Sequence, residues 1–256
     1  MTKYIIRRIL IFLPTLIAIT LLAFIISVNA PGDPVERMMS SSQTGEQNVN
    51  SLNSIEQHQY WRKKLGLDLP LFYFSIHSLS TPDTLYRIFD KYEKEALERL
   101  INQYGNWKAI SEYYNSVLHS YHQFSPVNDT VFNTDVVKAI RYDLNLLKYK
   151  SNDQSIENTL ETFDAVNNIP QLQNSLNEIK TNYTTVKSNT SRWKNLIPVI
   201  SFHKNNQYHR WLFGDEIYSK GILRGDFGIS YVTKQPVSQV IGEKIFWSLF
   251  LTLISV

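Results

Sequence analysis

Six histidines and no cysteine limit the chemistry this chain can attempt. Without thiols there is no disulfide framework, no Cys nucleophile and no Cys-ligated metal. His119 and His122 stand three apart, which puts both on one face of a helix. A zinc site needs further ligands, and none follows at a suitable spacing, so the simpler reading is a surface pair. Glu93, Glu95 and Glu98 read as a solvated helix face rather than an acid/base pair. The sequons at Asn128, Asn182 and Asn189 arise readily in a chain rich in Asn and Thr, and matter only in a eukaryotic secretory setting. No glycine-rich phosphate loop and no HExxH occurs. The expectation is a non-enzyme with no catalytic residues, metal ligands or cofactor. Its substrate-binding residues are not readable.

The cations that carry a message are Lys3, Arg7 and Arg8. The 256 residues hold 26 bases and 23 acids, so without these three the charges balance. A balanced remainder excludes a large basic surface and hence nucleic acid as a partner. After them, Ile9 to Val28 carries no charge. At ~1.5 Å rise per residue this stretch crosses the ~30 Å hydrocarbon core. Pro14 falls early in it, where a lost hydrogen bond is tolerated. A cleaved signal peptide is the alternative, but its apolar core is shorter, and here Asn29-Ala30-Pro31 follows, which suits a cleavage point badly. The positive-inside rule makes Lys3, Arg7 and Arg8 a topology signal, with the N-terminus cytoplasmic and residues about 29–243 extracytoplasmic. At the other end, Ile245 to Val256 is again uncharged and mostly apolar, with Trp247 at an interface-like position. It reads as the start of a second transmembrane helix, cut off part-way, in preference to a short amphipathic or core helix.

The elements between the two apolar ends must be mostly helical. Gly105 is the only glycine from 67 to 213. Thr81-Pro82-Asp83 predicts a helix start, with Leu85, Ile88, Phe89, Tyr92, Ala96, Leu97, Leu100, Ile101 and Tyr104 at helical spacing and Gly105 as its end. Asn106 is expected to cap a second helix bearing Trp107, Ile110, Tyr114, Val117, Leu118 and Tyr121. Val136, Val137, Ile140, Leu144 and Leu147 mark a third; Ile156, Leu160, Phe163 and Val166 mark a fourth. Pro170 opens a fifth with Leu172, Leu176, Ile179, Tyr183 and Val186. These predict successive antiparallel helices, each burying one face. No sequence repeat of fixed period is visible.

Four segments carry a resemblance. Residues 3–37, KYIIRRILIFLPTLIAITLLAFIISVNAPGDPVER, resemble the start of the oligopeptide/dipeptide/nickel family of ABC-importer permeases. LGLDLPL at 65–71 resembles the next landmark, ILRGDFGISYVTKQPVSQVIG at 222–242 the approach to the second membrane helix, and FWSLFLTLIS the helix itself. The four quoted segments hold 73 of the 256 residues. The chain departs from the family by a long block between the second and third landmarks, and by ending before the further membrane helices and the cytoplasmic loop that docks on the ATPase.

Helical spacing and the resemblance together give a mostly α fold in six stretches. These are a basic cytoplasmic start (1–8), a transmembrane helix (9–28), a family-like external segment (29–71), an inserted external helical domain (72–207), a family-like external loop (208–243) and the start of a second transmembrane helix (244–256). It implies an inner-membrane permease subunit of a bacterial ABC importer, with peptides the default substrate. Its partners would be a second permease subunit, cytoplasmic ATPase subunits, an external substrate-binding protein and membrane lipid. Physically, Pro31 and Pro34 stop the first helix and Gly32-Asp33 makes a turn. In the loop motif Arg224, Gly225, Asp226, Phe227 and Gly228, the glycines permit a tight path, and Arg224 and Asp226 bond nearby backbone groups or each other. The resemblance explains this RGD better than an adhesion motif does. A different reading keeps residues 1–28 as a tether and takes 40–240 as a membrane-anchored helical binding or scaffold protein without transport.

Overall fold

The structure, a computed structural model, describes residues 2–40, 51–124, 135–163, 170–215, 217–230, 233 and 235–255. The chain is mostly helical and divides into two compact units. Unit 1 combines 1–73 with 203–256, and unit 2 is Phe74–Phe202. The sequence reading set the block's edges at 72 and 207.

Unit 1 begins with α1 (Thr2–Val28), which contains Pro14. It ends with α10 (Val237–Ser255). Both are long and apolar enough to cross a membrane. α10 starts well before the expected 244, so Glu243 and Lys244 lie within the helix rather than ahead of it. Between them come α2 (Pro34–Ser40), α3 (Ser51–Leu65) and α9 (Gln207–Phe213). Asp33 does more than turn the chain. Its carboxylate accepts from the Val35 N–H at 2.8 Å and its carbonyl from the Arg37 N–H, so it caps α2, with Pro34 in the first turn.

Unit 2 holds α4 (Lys91–Tyr104), α5 (Trp107–Gln123), α6 (Asp135–Leu147), α7 (Asp153–Thr162) and α8 (Pro170–Ser188). A two-stranded antiparallel ribbon, β1 (Phe74–Ser78) and β2 (Pro198–Phe202), joins the ends of the unit. The five helices occupy the stretches the apolar spacing marks; Val166 lies outside the described residues. The first of them starts later than expected. Thr81-Pro82-Asp83 leads into a 3-10 turn at Leu85–Arg87, and Ile88 is extended. The helix starts at Lys91, where the Asp90 carboxylate accepts from the N–H groups of Tyr92 and Glu93. Asn106 does precede α5, but its side chain makes no cap; its amide donates to the Asn189 carbonyl.

The helices bury one stripe each in a common apolar core. Leu97, Leu100 and Ile101 meet Ile110 and Val117, Ile140 and Leu144, Ile156, and Leu172, Leu176 and Ile179. α8 runs antiparallel along α5. Asn106 bonds Asn189, Asn182 bonds Glu112, and Ser175 bonds Gln123, so the partners move in opposite directions along the chain. The α4 end is fixed by Gly105 at φ +66°. A Cβ there would sit 2.3 Å from the Ser191 carbonyl oxygen, and that segment is itself held by Ser191 N–H donating to the Tyr104 carbonyl at 2.7 Å. Gly105→Ala is therefore expected to cost about 2 kcal/mol, from left-handed strain plus displacement of the 191 segment. The thermal midpoint of the full chain in detergent measures it; an unchanged midpoint would contradict the close approach.

Candidate functional site

Unit 1 gathers residues 69–73, the second half of α1 and the loop after Phe213 around α9. Asn206 is buried and caps α9 by accepting from the His209 N–H at 2.8 Å. The next free N–H groups, those of Gln207 and Tyr208, donate to the carbonyls of Pro70 and Leu71. The Gln207 side chain adds a bond to the Leu69 carbonyl. The end of LGLDLPL thus satisfies the orphan donors of the helix start. Tyr73 bonds its hydroxyl to His209 Nδ1 at 2.8 Å.

α9 also seals against α1. Phe24 is buried, with Tyr208 edge-on at 5.2 Å and Trp211 at 5.6 Å. The Tyr208 hydroxyl shares a hydrogen bond with Thr20 Oγ1 at 2.9 Å. Phe72 completes the cluster at 5.2 Å from Tyr208. These contacts fall in the second half of the apolar run, where aromatic side chains with a polar tip suit both an apolar wall and a wet boundary.

Arg210 joins three segments. It donates to the carbonyls of Lys63 and Lys64 at the end of α3 and pairs with Asp215 at 2.7 Å. Asp215 accepts from the N–H groups of Ile217, Tyr218 and Ser219. Partial burial pushes the Asp215 carboxyl up, but these N–H donors and the Arg210 charge hold it below its ordinary value. Just beyond, the backbones of Gly214 and Gly221 touch: a Cβ on Gly221 would lie 2.3 Å from the Gly214 nitrogen. That contact folds the chain so that Asp226 reaches back. Its carboxylate accepts from Lys220 N–H at 2.8 Å and Gly228 N–H at 3.0 Å, with Ser219 Oγ at 3.4 Å. The Lys220 and Gly228 N–H groups hold the Asp226 carboxyl below its ordinary value.

The loop motif is therefore a backbone clamp built on Asp226. Gly225 and Gly228 both take positive φ. Among the described residues Arg224 and Asp226 do not pair; Arg224 is exposed, and Phe227 presents its ring to solvent. Beside the clamp, a cavity of about 510 Å³ is walled by the C-terminal end of α1, α2, the end of α3, α9, Tyr218, Ser219 and residues 226–229. Lys3, Arg7 and Arg8 are exposed at the start of α1, with Arg8 over the Tyr4 ring at 4.7 Å.

Unit 2 carries a different surface. On the ribbon, Phe74 pairs with Phe202 and Ile76 with Ile200, so all four side chains share one face. That face is open: Ile76 is 68% and Phe202 83% exposed. The other face carries Ser75, His77, Ser201 and Val199, and its polar groups are bonded. Ser75 donates to Asp83 at 2.9 Å, and His77 Nε2 meets Ser201 Oγ at 2.8 Å. The sequence reading missed this ribbon. Its signal is the alternation in FSIHS and the β-branched Val199 and Ile200 in PVISF.

The other sequence candidates stay apart. His119 and His122 are both exposed on α5, and no group of three or more potential metal ligands exists among the described residues. Glu95 and Glu98 lie on the outer face with Lys91, Arg99 and Lys94. Glu93 corrects the reading of a solvated face. It is buried and accepts from the Tyr114 hydroxyl, because it shares the stripe of Ala96, Leu97 and Leu100. Asn189 is exposed, Asn182 is tied to Glu112, and Asn128 lies outside the described residues. No protein-family model, curated protein or solved structure matches this chain.

Proposed function

We propose that the chain is a transmembrane permease subunit of a bacterial ABC importer, with peptides as the substrate class and unit 2 as an extracytoplasmic domain. One observation carries the reading. The stretches that resemble the permease family, 3–37, 65–71 and 222–242, come from both ends of the sequence yet belong to one compact unit. Two membrane-length helices bound that unit, and the intervening helical block forms its own. An inserted domain behaves this way, since loop closure costs grow only slowly with length. ATP hydrolysis belongs to separate cytoplasmic subunits in this reading. The N-terminus lies in the cytoplasm beside Lys3, Arg7 and Arg8. Unit 2 then lies on the side from which a substrate-binding protein delivers its cargo, and its role is to contact that protein.

The His203 N–H donates to the Tyr73 carbonyl at 2.7 Å, so a short Gly-Ser linker can replace 74–202 without straining unit 1. The shortened permease, assembled with its partner subunits, is expected to insert normally and keep its basal ATP hydrolysis. Stimulation by the binding protein should fall about ten-fold, as for the loss of a contact of ~1.4 kcal/mol. Unchanged stimulation would refute the docking role.

A further inference from the structure

The open face of the ribbon in unit 2 is apolar along both strands. Ile76 and Ile200 stand opposite each other on it, and Phe202 continues it. Ile200 is 57% exposed, beside the more exposed Ile76 and Phe202. Trp193 and Leu196, in the 3-10 turn that leads into β2, are exposed as well. A ribbon of two short strands is marginal in water, and an uncovered apolar face makes it more so. The nearby sequence carries charge of one sign. Residues 69–82 hold no acid and no Lys or Arg, while 191–206 hold Arg192, Lys194 and Lys204 with no acid. The next acid after β1, Asp83, accepts from Ser75 on the opposite face. Lys194 lies over the Trp193 ring at 5.9 Å and has no carboxylate partner among the described residues.

The chain enters and leaves the ribbon beside α1. The ladder runs one rung further, where the His203 N–H donates to the Tyr73 carbonyl, and both residues belong to unit 1. The Tyr73 ring stands edge-on to Tyr208 at 6.2 Å, and the Tyr208 hydroxyl bonds Thr20. Thr20 precedes the end of α1 at Val28 by about 12 Å of helix, at ~1.5 Å per residue. Tyr73 thus flanks the uncharged run, and Phe74 and Phe202 are the next residues along the two strands. The Ile76–Ile200 pair is two rungs on, only about 7 Å further.

We infer that the apolar face of the ribbon rests in the outer surface of an anionic bilayer, with Ile76, Ile200 and Phe202 among the upper acyl chains and Lys194 and Lys204 at lipid phosphates. The inference rests on the membrane reading of α1. Aromatic and aliphatic side chains bordered by bases suit the layer where hydrocarbon meets headgroups. Unit 2 is then held to the bilayer at its ribbon as well as through the chain, and offers a fixed surface to a protein arriving from outside.

The chain has no cysteine, so each single-cysteine variant carries one nitroxide label. The full chain is labelled at Ile200→Cys or Phe202→Cys, with Leu251→Cys in α10 as the lipid reference and Lys138→Cys on α6 as the water reference. In nanodiscs containing phosphatidylglycerol, electron paramagnetic resonance reads collisions with oxygen and with a water-soluble nickel chelate. The labels at Ile200 and Phe202 are expected to follow Leu251, open to oxygen and shielded from nickel. Lys194→Gln should lower the ratio of lipid-embedded to water-exposed label at Ile200 about five-fold, the effect of one lysine near an anionic surface. Pure phosphatidylcholine should lower it at least as far. Ribbon labels that follow Lys138 while Leu251 stays in lipid overturn the proposal and leave the membrane reading intact. Ribbon labels screened from both colliders overturn it in favour of a protein partner. A ratio indifferent to Lys194→Gln and to phosphatidylglycerol overturns the anionic surface as the occupant. If Leu251 is itself open to nickel, the membrane reading fails first.

Discussion

Replacing Asp153 by alanine is expected to destabilise unit 2 by about 3–5 kcal/mol, one of the largest effects any single change on its polar groups can have. The carboxylate accepts from the hydroxyls of Tyr104 and Tyr183 and from the Gln103 amide. It thereby ties the start of α7 to the end of α4 and to α8. Both tyrosines are buried, 5% and 3% exposed. Without Asp153 their hydroxyls lose their shared acceptor, and each unsatisfied buried group costs about 1–3 kcal/mol. Burial and the bond to Asp153 push the Tyr104 hydroxyl up to about 12, and Tyr183 rises for the same two reasons. Tyr183→Phe removes donor and need together, so it should cost only about 1 kcal/mol. The pH dependence has a definite sign. Burial alone would raise the Asp153 carboxyl, but the two tyrosine bonds and Lys187 hold it below its ordinary value. A depressed acid stabilises the folded state above its unfolded value of ~3.9, and the gain is lost as pH falls through the folded value. The gap between wild type and Asp153→Ala should be full at neutral pH and shrink in strong acid. Thermal unfolding of the full chain in detergent, followed by circular dichroism, reads it as a drop of about 10 °C. A midpoint shift no larger than that of Tyr183→Phe would sink the account.

Much of this architecture is written locally, and the exceptions are instructive. The helices of unit 2 could be read because Leu97, Leu100 and Ile101, or Leu172, Leu176 and Ile179, repeat at the helical period and all meet one core. Periodicity failed at the start of α4 for a reason visible in Leu85. It is buried in the same core although it belongs to a 3-10 turn, so it extended the pattern across a break. The true signal was Asp90, a cap residue outranked in the sequence by the more conspicuous Thr81-Pro82. Glu93 was misjudged because charge type outweighed position, yet its spacing from Ala96 and Leu97 put it in the stripe. The ribbon could not be read from neighbours, since Phe74 pairs with Phe202 across 128 residues. The loop motif was legible as a turn through its glycines. What Asp226 bonds depended on the meeting of Gly214 and Gly221, which no spacing rule announces.

The same limit applies to Arg210, whose importance appears only when α3 and α9 are seen together. Its guanidinium reaches two carbonyls at the α3 terminus and one carboxylate, in three directions at once. The carbonyls at a helix end are orphan acceptors and favour a cation. Asp215 in turn organises the N–H groups of 217–219, the turn that precedes the Asp226 clamp. Arg210→Ala is expected to loosen this junction by about 2–3 kcal/mol, because two carbonyls at the α3 end and a partly buried carboxylate lose their cation together. Arg210→Lys should recover little of that. A single ammonium lacks the planar fork and cannot serve the three acceptors together. The effect is local, since the helices of unit 2 share none of these bonds. Hydrogen exchange followed by mass spectrometry should show faster exchange at Ile217, Tyr218 and Ser219 in both variants, with unit 2 unchanged. Asp215→Asn should behave similarly, since the depressed Asp215 carboxyl contributes above its unfolded value and loses its contribution only as pH falls through the folded one. If Arg210→Lys protects the 217–219 amides as well as wild type does, then charge alone, and not the fork, holds the junction.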